Sequence, residues 1–323
     1  MSIIAAAVKI LKEEGTALYY FIINPKSRSD QGARIWDQVE QQLQKRHVVY
    51  QAFFTKYRGH ARKLAHILSG TLTQDDILAA VGGDGTINEI VSGLTHPEQV
   101  TFGYIPTGSG NDFARGMGLP KDVPTALQAI LKPEMVRKMD IGVCHASGKE
   151  RRFVISSGIG FDAGICHEAL ASPIKNYLNR FGLGKLTYAF IAMKHLLFFQ
   201  RFDLTLTLDS GRSASFHNVW FLTAMNLKYE GGGFKFCPHA RSADGCLDLM
   251  VVSNISRLKV LLMLPSAFFG KHTHIKGVRF LKCRSAHIST NIKRPVHLDG
   301  ESGGILDTFD ISCARQQLNV IIK

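Results

Sequence analysis

Through its first part the chain alternates short apolar runs with segments whose apolar residues recur every three or four positions. Ala17 to Ile23, Val48 to Phe54, Ile77 to Ala80 and Thr101 to Ile105 read as strands. Between them, Ile35, Val39 and Leu43 mark one face of a helix that Asp30 is placed to cap, and Ala61, Leu64, Ala65 and Leu68 mark a second. Ile87, Ile90, Val91 and Leu94 mark a third. Strands alternating with helices predict a doubly wound parallel sheet. In such a sheet the loops that follow the strands share one edge, so the polar loops after Ile23, Val81 and Ile105 should meet one ligand.

Near Asp140 the pattern changes. Phe153 to Ser157, Asp203 to Leu208, Asn218 to Met225, Leu247 to Val252, Val278 to Cys283 and His287 to Thr290 all read as strands. Leu204 to Leu208 alternates strictly before Asp209-Ser210-Gly211, a hairpin signal. The helices expected here are Ser172 to Phe199, broken at Gly182 and Gly184, and Leu258 to Phe268, bent by Pro265. The predicted fold is therefore an α/β domain over 1–139, with residues 1–17 as an extension, and a mostly β domain over 140–323 with helical insertions. The extreme C-terminus is expected to return to the first domain, and the cleft between domains is the expected place for chemistry.

Three glycines, Gly82, Gly83 and Gly85, turn the third strand sharply into its helix. Glycine lets a ligand approach the main chain closely, and a helix start offers unpaired N–H groups and a positive dipole end. Together they make a phosphate cradle. The structural alternative is a capping box of Thr86 and Glu89. Neither common nucleotide fingerprint is present. Downstream, Asp299 and Glu301 flank Gly300, and in an extended strand such residues face the same way. Two adjacent carboxylates can tune one another to accept a proton or can hold a cation; a D-G hairpin turn is the plain alternative. A third acidic turn surrounds Asp244, where a carboxylate beside main-chain carbonyls suits a hard cation.

Charge narrows the partners. The 39 Lys and Arg against 26 Asp and Glu give +13, suited to a nucleotide, a nucleic acid or an acidic membrane surface. With no basic block and no aromatic residues interleaved with Arg, nucleic acid is set aside. The six cysteines form no CxxC pair, as in a reducing compartment, and His272-x-His274 lacks acidic partners for a metal. No apolar run reaches the ~18 residues of a membrane span. The nearest, Leu186 to Phe199, suits a core or a bilayer surface.

Asn24-Pro25-x-Ser27, GGDGTINE at 82–89, PTGSGNDFAR at 106–115, Gly158-x-Gly160-Phe161-Asp162-Ala163, Gly231-Gly232-Gly233 with Pro238 and Asp244-Gly245, and Asp299-Gly300-Glu301 follow one another in that order. Together they resemble the diacylglycerol kinase catalytic family, in its soluble bacterial lipid kinase branch, over residues 18 to 323. The resemblance implies ATP-dependent phosphorylation of a lipid hydroxyl by a cytoplasmic protein that visits the membrane surface, with a homodimer among the partners to test. It places ATP against Asn24, Pro25, Lys26, Ser27, Arg28, Thr55, Gly82, Gly83, Asp84, Gly85, Thr86, Ile87, Asn88 and Ser109. It makes Glu301 the usual proton acceptor, with Asp299 its rival. It gives a structural Mg²⁺ the Asp244 carboxylate and the carbonyls of Arg241 and Cys246, and Asp84 is a candidate to organise metal through water.

Two departures stand out: Arg28 where the family usually has Gly, and Ser109 where Thr is commoner. Two alternatives remain. An NAD kinase shares the GGDG loop, although the GSGNDFAR segment and the DGE ending speak against it. A binding protein that kept the fold and lost turnover would have Arg28 as its first sign of decay.

Overall fold

The computed structural model describes residues 18–28, 30–171 and 184–323. The chain falls into two units, one running to Met139 and rejoined by Gln316–Lys323, the other Asp140–Arg315. The N-terminal extension lies outside the described residues, as do residues 172–183 of the long helix expected from the sequence.

The first unit contains β1 (Tyr19–Ile23), α1 (Gln31–Lys45), β2 (Tyr50–Phe54), α2 (His60–Ser69), β3 (Ile77–Gly82), α3 (Asp84–Gly93), β4 (Thr101–Pro106), α4 (Asp112–Met117) and α5 (Val123–Leu131). All its strand pairs are parallel: β1 lies between β2 and β3, β3 pairs with β4, and Asn319 and Val320 pair with Thr101 and Phe102 on the far side of β4. The α/β reading of this half is borne out. Wholly apolar strands are what a sheet covered on both faces requires. On one face Phe21, Ile23, Val81 and Ile105 pack with Trp36, Val39 and Leu43 of α1 and with Ile130 of α5. α2 and α3 lie so close together that a Cβ on Gly93 would stand 2.2 Å from the Arg62 carbonyl oxygen.

Asp30 does not cap α1 with its side chain. It sits at the N-cap position with φ 67°, a left-handed geometry that aims the side chain away from the first-turn N–H groups a cap must reach.

The second unit is built from β5 (Val136–Ala146), β6 (Lys149–Phe153), β7 (Ser156–Gly160), α6 (Phe161–Ala171), α7 (Gly184–Phe198), β8 (Phe202–Leu208), β9 (Ser213–Met225), β10 (Leu247–Ser253), α8 (Arg257–Phe268), β11 (Val278–Cys283), β12 (Ser285–Leu298) and β13 (Glu301–Ile321). The path β11–β10–β9–β7–β12–β13 is antiparallel at each step. β8 pairs with both β9 and β12, so strands change partners along their length. The core between them centres on Trp220, Phe221, Ile159, Phe161 and Phe202. The hairpin after Leu208 forms, with Gly211 at φ 76°.

The strand expected over Phe153 to Ser157 is instead an interruption: β6 ends at Phe153 and β7 begins at Ser156. The run is apolar because Val154 and Ile155 are buried, but their N–H groups bond to a side chain described below rather than to a neighbouring strand.

Candidate active site

Register brings the first set of predicted residues together. Ile23 lies opposite Val81, and Val81 opposite Ile105, so β1, β3 and β4 end in one row. Hydrogen bonds then lace the three loops: Asn24 N–H donates to the Val81 carbonyl (2.8 Å) and Thr107 N–H to the Gly82 carbonyl (2.8 Å). Asn24 Nδ2 donates to Thr86 Oγ1 (3.2 Å), and the hydroxyls of Ser27 and Thr107 are hydrogen-bonded to each other at 2.6 Å. Thr55, after β2, joins them through its N–H to the Ile23 carbonyl (2.8 Å).

The glycines are needed for this closeness. A Cβ on Gly82 would stand 2.5 Å from Thr86 Oγ1, and one on Gly108 would stand 3.0 Å from Gly83 Cα and 2.7 Å from Asn111 Oδ1. α3 starts at Gly83 with no side-chain cap. The capping box is therefore not formed. Glu89 accepts from Gly59 N–H (2.7 Å) and Ala61 N–H (3.1 Å), fixing the start of α2. The α3 N-terminus keeps its positive end for an anion.

Asp84 has a structural task in the loop. Its carboxylate accepts the Asp112 and Phe113 N–H groups, each at 3.1 Å, and so starts α4. The GGDG aspartate thus ties the glycine loop to the following loop. Ile87 turns its side chain into the core, while Lys26, Arg28 and Ser109 are exposed beside the cradle.

Arg28 has φ 47°, the left-handed region that glycine occupies freely. A non-glycine residue there costs about 1–2 kcal/mol, partly offset by glycine's greater unfolded-state entropy. Arg28→Gly is expected to stabilise the protein by ~0.5–1 kcal/mol, seen as a small rise in Tm; an unchanged or lower Tm would count against strain at this residue.

The acidic turn of the second unit has a different geometry from the one expected. Asp299 (φ 52°) and Gly300 (φ 78°) are the two central residues of a hairpin that pairs Leu298 with Glu301. Positive φ at both positions is the tight two-residue turn that D-G favours, so Asp299 and Glu301 do not lie on one face of an extended strand. Asp299 instead reaches across to the interruption after β6: its carboxylate accepts from Val154 (2.8 Å), Ile155 (2.8 Å) and Ser156 (2.9 Å) N–H. Taking a proton would cost it at least one of these bonds. Glu301 is half-buried at the first position of β13.

Behind the turn is a constellation that the sequence reading missed. His297 is buried, with Nε2 3.0 Å from Glu230 Oε1 and 3.3 Å from Asp162 Oδ2. Thr223 Oγ1 also donates to Glu230 (3.2 Å). Burial works against charge on the ring, but the Glu230 carboxylate and the bond to Asp162 outweigh it and hold His297 well above the ordinary histidine value. The Gly300 N–H approaches Nδ1 at 3.3 Å, which favours a bare nitrogen. The two carboxylates on Nε2 favour the charged ring, and the Gly300 N–H opposes it. Burial pushes Asp162 up, while His297 keeps Glu230 below its usual range despite burial. The three ligand-type atoms lie within 4.8 Å of one another, as a metal site would need. With Nε2 placed between the two carboxylates, the three side chains are arranged as an ion-paired brace. Its legible signals were Asp162 within the Gly158–Ala163 motif and His297 two residues before Asp299.

The Asp244 loop is held shut from within. Asp140 Oδ2 accepts from Gly245 N–H (2.8 Å), and Asp140 N–H donates to the Ser242 carbonyl (2.6 Å). Asp244 Oδ2 carries the Lys282 ammonium and Oδ1 accepts from Cys246 N–H. As arranged, Asp244, Arg241 and Cys246 do not fit a divalent cation, which would face an ammonium on the same carboxylate. Lys282, on β11 opposite Asp248, supplies the positive charge itself. The Tm of the nucleotide-free protein is expected to be the same in EDTA and in Mg²⁺. Lys282→Met should lower it and make it respond to Mg²⁺; a wild-type Tm that rises with Mg²⁺ and loses that rise in Asp244→Asn would restore the metal.

Comparison with known proteins covers both halves. Residues 19–144 match the diacylglycerol kinase catalytic domain, and residues 161–322 match the YegS C-terminal NAD kinase beta sandwich-like domain. The chain is 32% identical over 292 residues to a Bacillus subtilis strain 168 protein named "Putative lipid kinase YtlR", covering 88% of this chain and 94% of that one. It is 30% identical over 291 residues to a diacylglycerol kinase of Staphylococcus carnosus strain TM300, covering 88% and 89%. A crystal structure of a diacylglycerol kinase from Bacillus anthracis strain Sterne superposes with TM-score 0.70 at 21% identity, covering 97% of this chain and 98% of that one, and so shares the fold. With one match in each unit and relatives aligned almost end to end, the chain belongs to the diacylglycerol kinase catalytic-domain family.

Proposed function

We propose that this lipid kinase transfers the γ-phosphate of ATP to the hydroxyl of diacylglycerol or a closely similar lipid at a membrane surface. The observation that carries the reading is the row of loops after β1, β3 and β4, drawn together around the side-chain-uncapped start of α3. Asn24, Ser27 and Thr86 brace that row, Gly82, Gly83 and Gly85 give phosphate oxygens access to main-chain N–H groups, and Lys26, Arg28 and Ser109 stand exposed beside it.

Phosphoryl transfer asks the protein mainly for positioning and charge stabilisation. Mg²⁺ accompanying the ATP phosphates would supply part of the latter. The lipid oxygen attacks the γ-phosphorus, the bond from that phosphorus to the β-phosphate oxygen breaks, and ADP leaves. A lipid alcohol holds its proton far above neutral pH, so the proton must leave during attack. Glu301 accepts it, and Asp299 positions the turn that bears Glu301.

The test is transfer of labelled phosphate from ATP to diacylglycerol dispersed in detergent, with NAD as a competing acceptor. Labelled phosphatidic acid is the expected product. NADP formation, or ATP binding without any product, would overturn the reading.

A further inference from the structure

Two helices of the second unit are apolar on both faces. In α7, Ile191 and Leu196 turn inward, as does Phe199 just after it, while Phe190 is 72% and Phe198 is 80% exposed, with Leu197 beside them. In α8, Val260, Met263 and Ala267 turn inward, while Leu258 and Leu262 are exposed, the latter at 67%, and Phe269 follows at 70%. Nine of the seventeen exposed large apolar side chains among the described residues lie on or directly after these two helices. Arg257 Nε donates to the Leu196 carbonyl at 3.1 Å, joining the start of α8 to the last turn of α7, next to exposed Leu258 and Leu197. The outer face of α8 and Phe234 also shape an apolar groove of ≈ 410 Å³. Exposed apolar surface gathered in this way marks a contact surface.

Charge identifies what it contacts. Residues 169–202, which contain α7, hold five Lys or Arg and no Asp or Glu; residues 249–298, which contain α8, hold nine and none. Removing those fourteen from the chain's 39 basic residues leaves 25, against all 26 acidic ones. The whole positive excess of the protein therefore lies in the two stretches that bear the exposed apolar helices. Among these cations, Arg257, Lys259 and Lys271 are exposed on or just beyond α8. A second copy of the chain would bring the same positive stretches against themselves, whereas an anionic bilayer offers both an apolar interior and negative phosphates. No helix among the described residues is long and apolar enough to cross a membrane, so these would lie on one.

We propose that α7 and α8 form the face by which the protein docks on an anionic lipid bilayer. Phe190, Leu197, Phe198, Leu262 and Phe269 enter the acyl boundary, and Arg257, Lys259 and Lys271 meet lipid phosphates. The choice of a bilayer rests on the lipid kinase reading; the docking face itself is tested without turnover.

Co-sedimentation with vesicles of phosphatidylglycerol and phosphatidylcholine, without ATP, is the measurement. Wild-type protein is expected to bind the mixed vesicles at least ~10-fold more strongly than pure phosphatidylcholine, and less strongly as salt is raised. Phe190→Ser with Phe198→Ser, and separately Leu262→Ser with Phe269→Ser, should each weaken binding by ~10-fold or more. Lys259→Glu with Lys271→Glu provides an arm that leaves the apolar face intact and should remove the preference for phosphatidylglycerol. All three should keep wild-type Tm and wild-type turnover of detergent-dispersed diacylglycerol. Wild-type protein that ignores the vesicles, or variants that bind as well as wild type, would overturn the docking face. So would a wild-type dimer that the apolar substitutions dissolve while vesicle binding persists. Loss of the detergent assay in wild type would instead strike the proposed function, leaving the vesicle result to stand by itself.

Discussion

Glu301→Gln is expected to reduce turnover of diacylglycerol by roughly 10² to 10⁴, the usual contribution of a positioned base, while the KM for ATP stays near its wild-type value. The separation follows from where the residues lie. The loops proposed to hold ATP belong to the first unit, and Glu301 starts β13 in the second. Gln has nearly the shape of Glu but cannot accept a proton at this position. A loss confined to kcat would therefore report a missing base, and a rise in the KM for ATP would report disturbed nucleotide binding. Turnover within a few-fold of wild type would remove Glu301 from its assigned role and leave no carboxylate of the hairpin for the task, because Asp299 is committed to three main-chain donors. Arg28→Gly probes the other side of the reaction. It should raise the KM for ATP and leave the detergent-lipid kcat unchanged, even as it relieves the left-handed backbone at that residue.

The extent to which these roles were legible in the sequence depended on how local their causes are. The strands of the first unit were readable because each is a short apolar run bounded by polar loops, and the shared edge of those loops follows from parallel pairing. Glu89 was not. Its position three residues after Thr86 spells a capping box, and only tertiary placement beside Gly59 and Ala61 gives its carboxylate better donors. Asp84 is a similar case: its partners lie 28 and 29 residues away. In the second unit, Val154 and Ile155 continue an apolar run, so periodicity extends a strand through them, whereas the observed break is made by a side chain 145 and 144 residues further on. His297, Glu230 and Asp162 are separated by long stretches of chain, and no spacing rule connects them. The D-G dipeptide, by contrast, carried its hairpin openly; the extended reading of Asp299 and Glu301 overlooked a preference that two adjacent residues are enough to express.

That hairpin also gives the largest expected loss of stability. Asp299→Ala removes the acceptor for three N–H groups on Val154, Ile155 and Ser156, residues that are 0%, 3% and 0% exposed. Each buried donor left unsatisfied costs about 1–3 kcal/mol, so a total of at least ~2 kcal/mol is expected even if water reaches one of them. Denaturant unfolding measures it. The alanine also has to sit at φ 52°, which adds about 1 kcal/mol of its own. Asp299→Gly separates the two costs: glycine accepts the backbone angle freely and still lacks the carboxylate, so it should recover only that last increment. Asp299→Asn keeps one carbonyl acceptor and tolerates the left-handed region, and should fall between glycine and wild type. If Asp299→Gly unfolded at the wild-type midpoint, the carboxylate would not be what holds the β6–β7 interruption to the turn. If all three variants lost stability in this order while Glu301→Gln kept it, the two acids of the DGE hairpin would be divided by function, one clamping the turn and the other taking the proton.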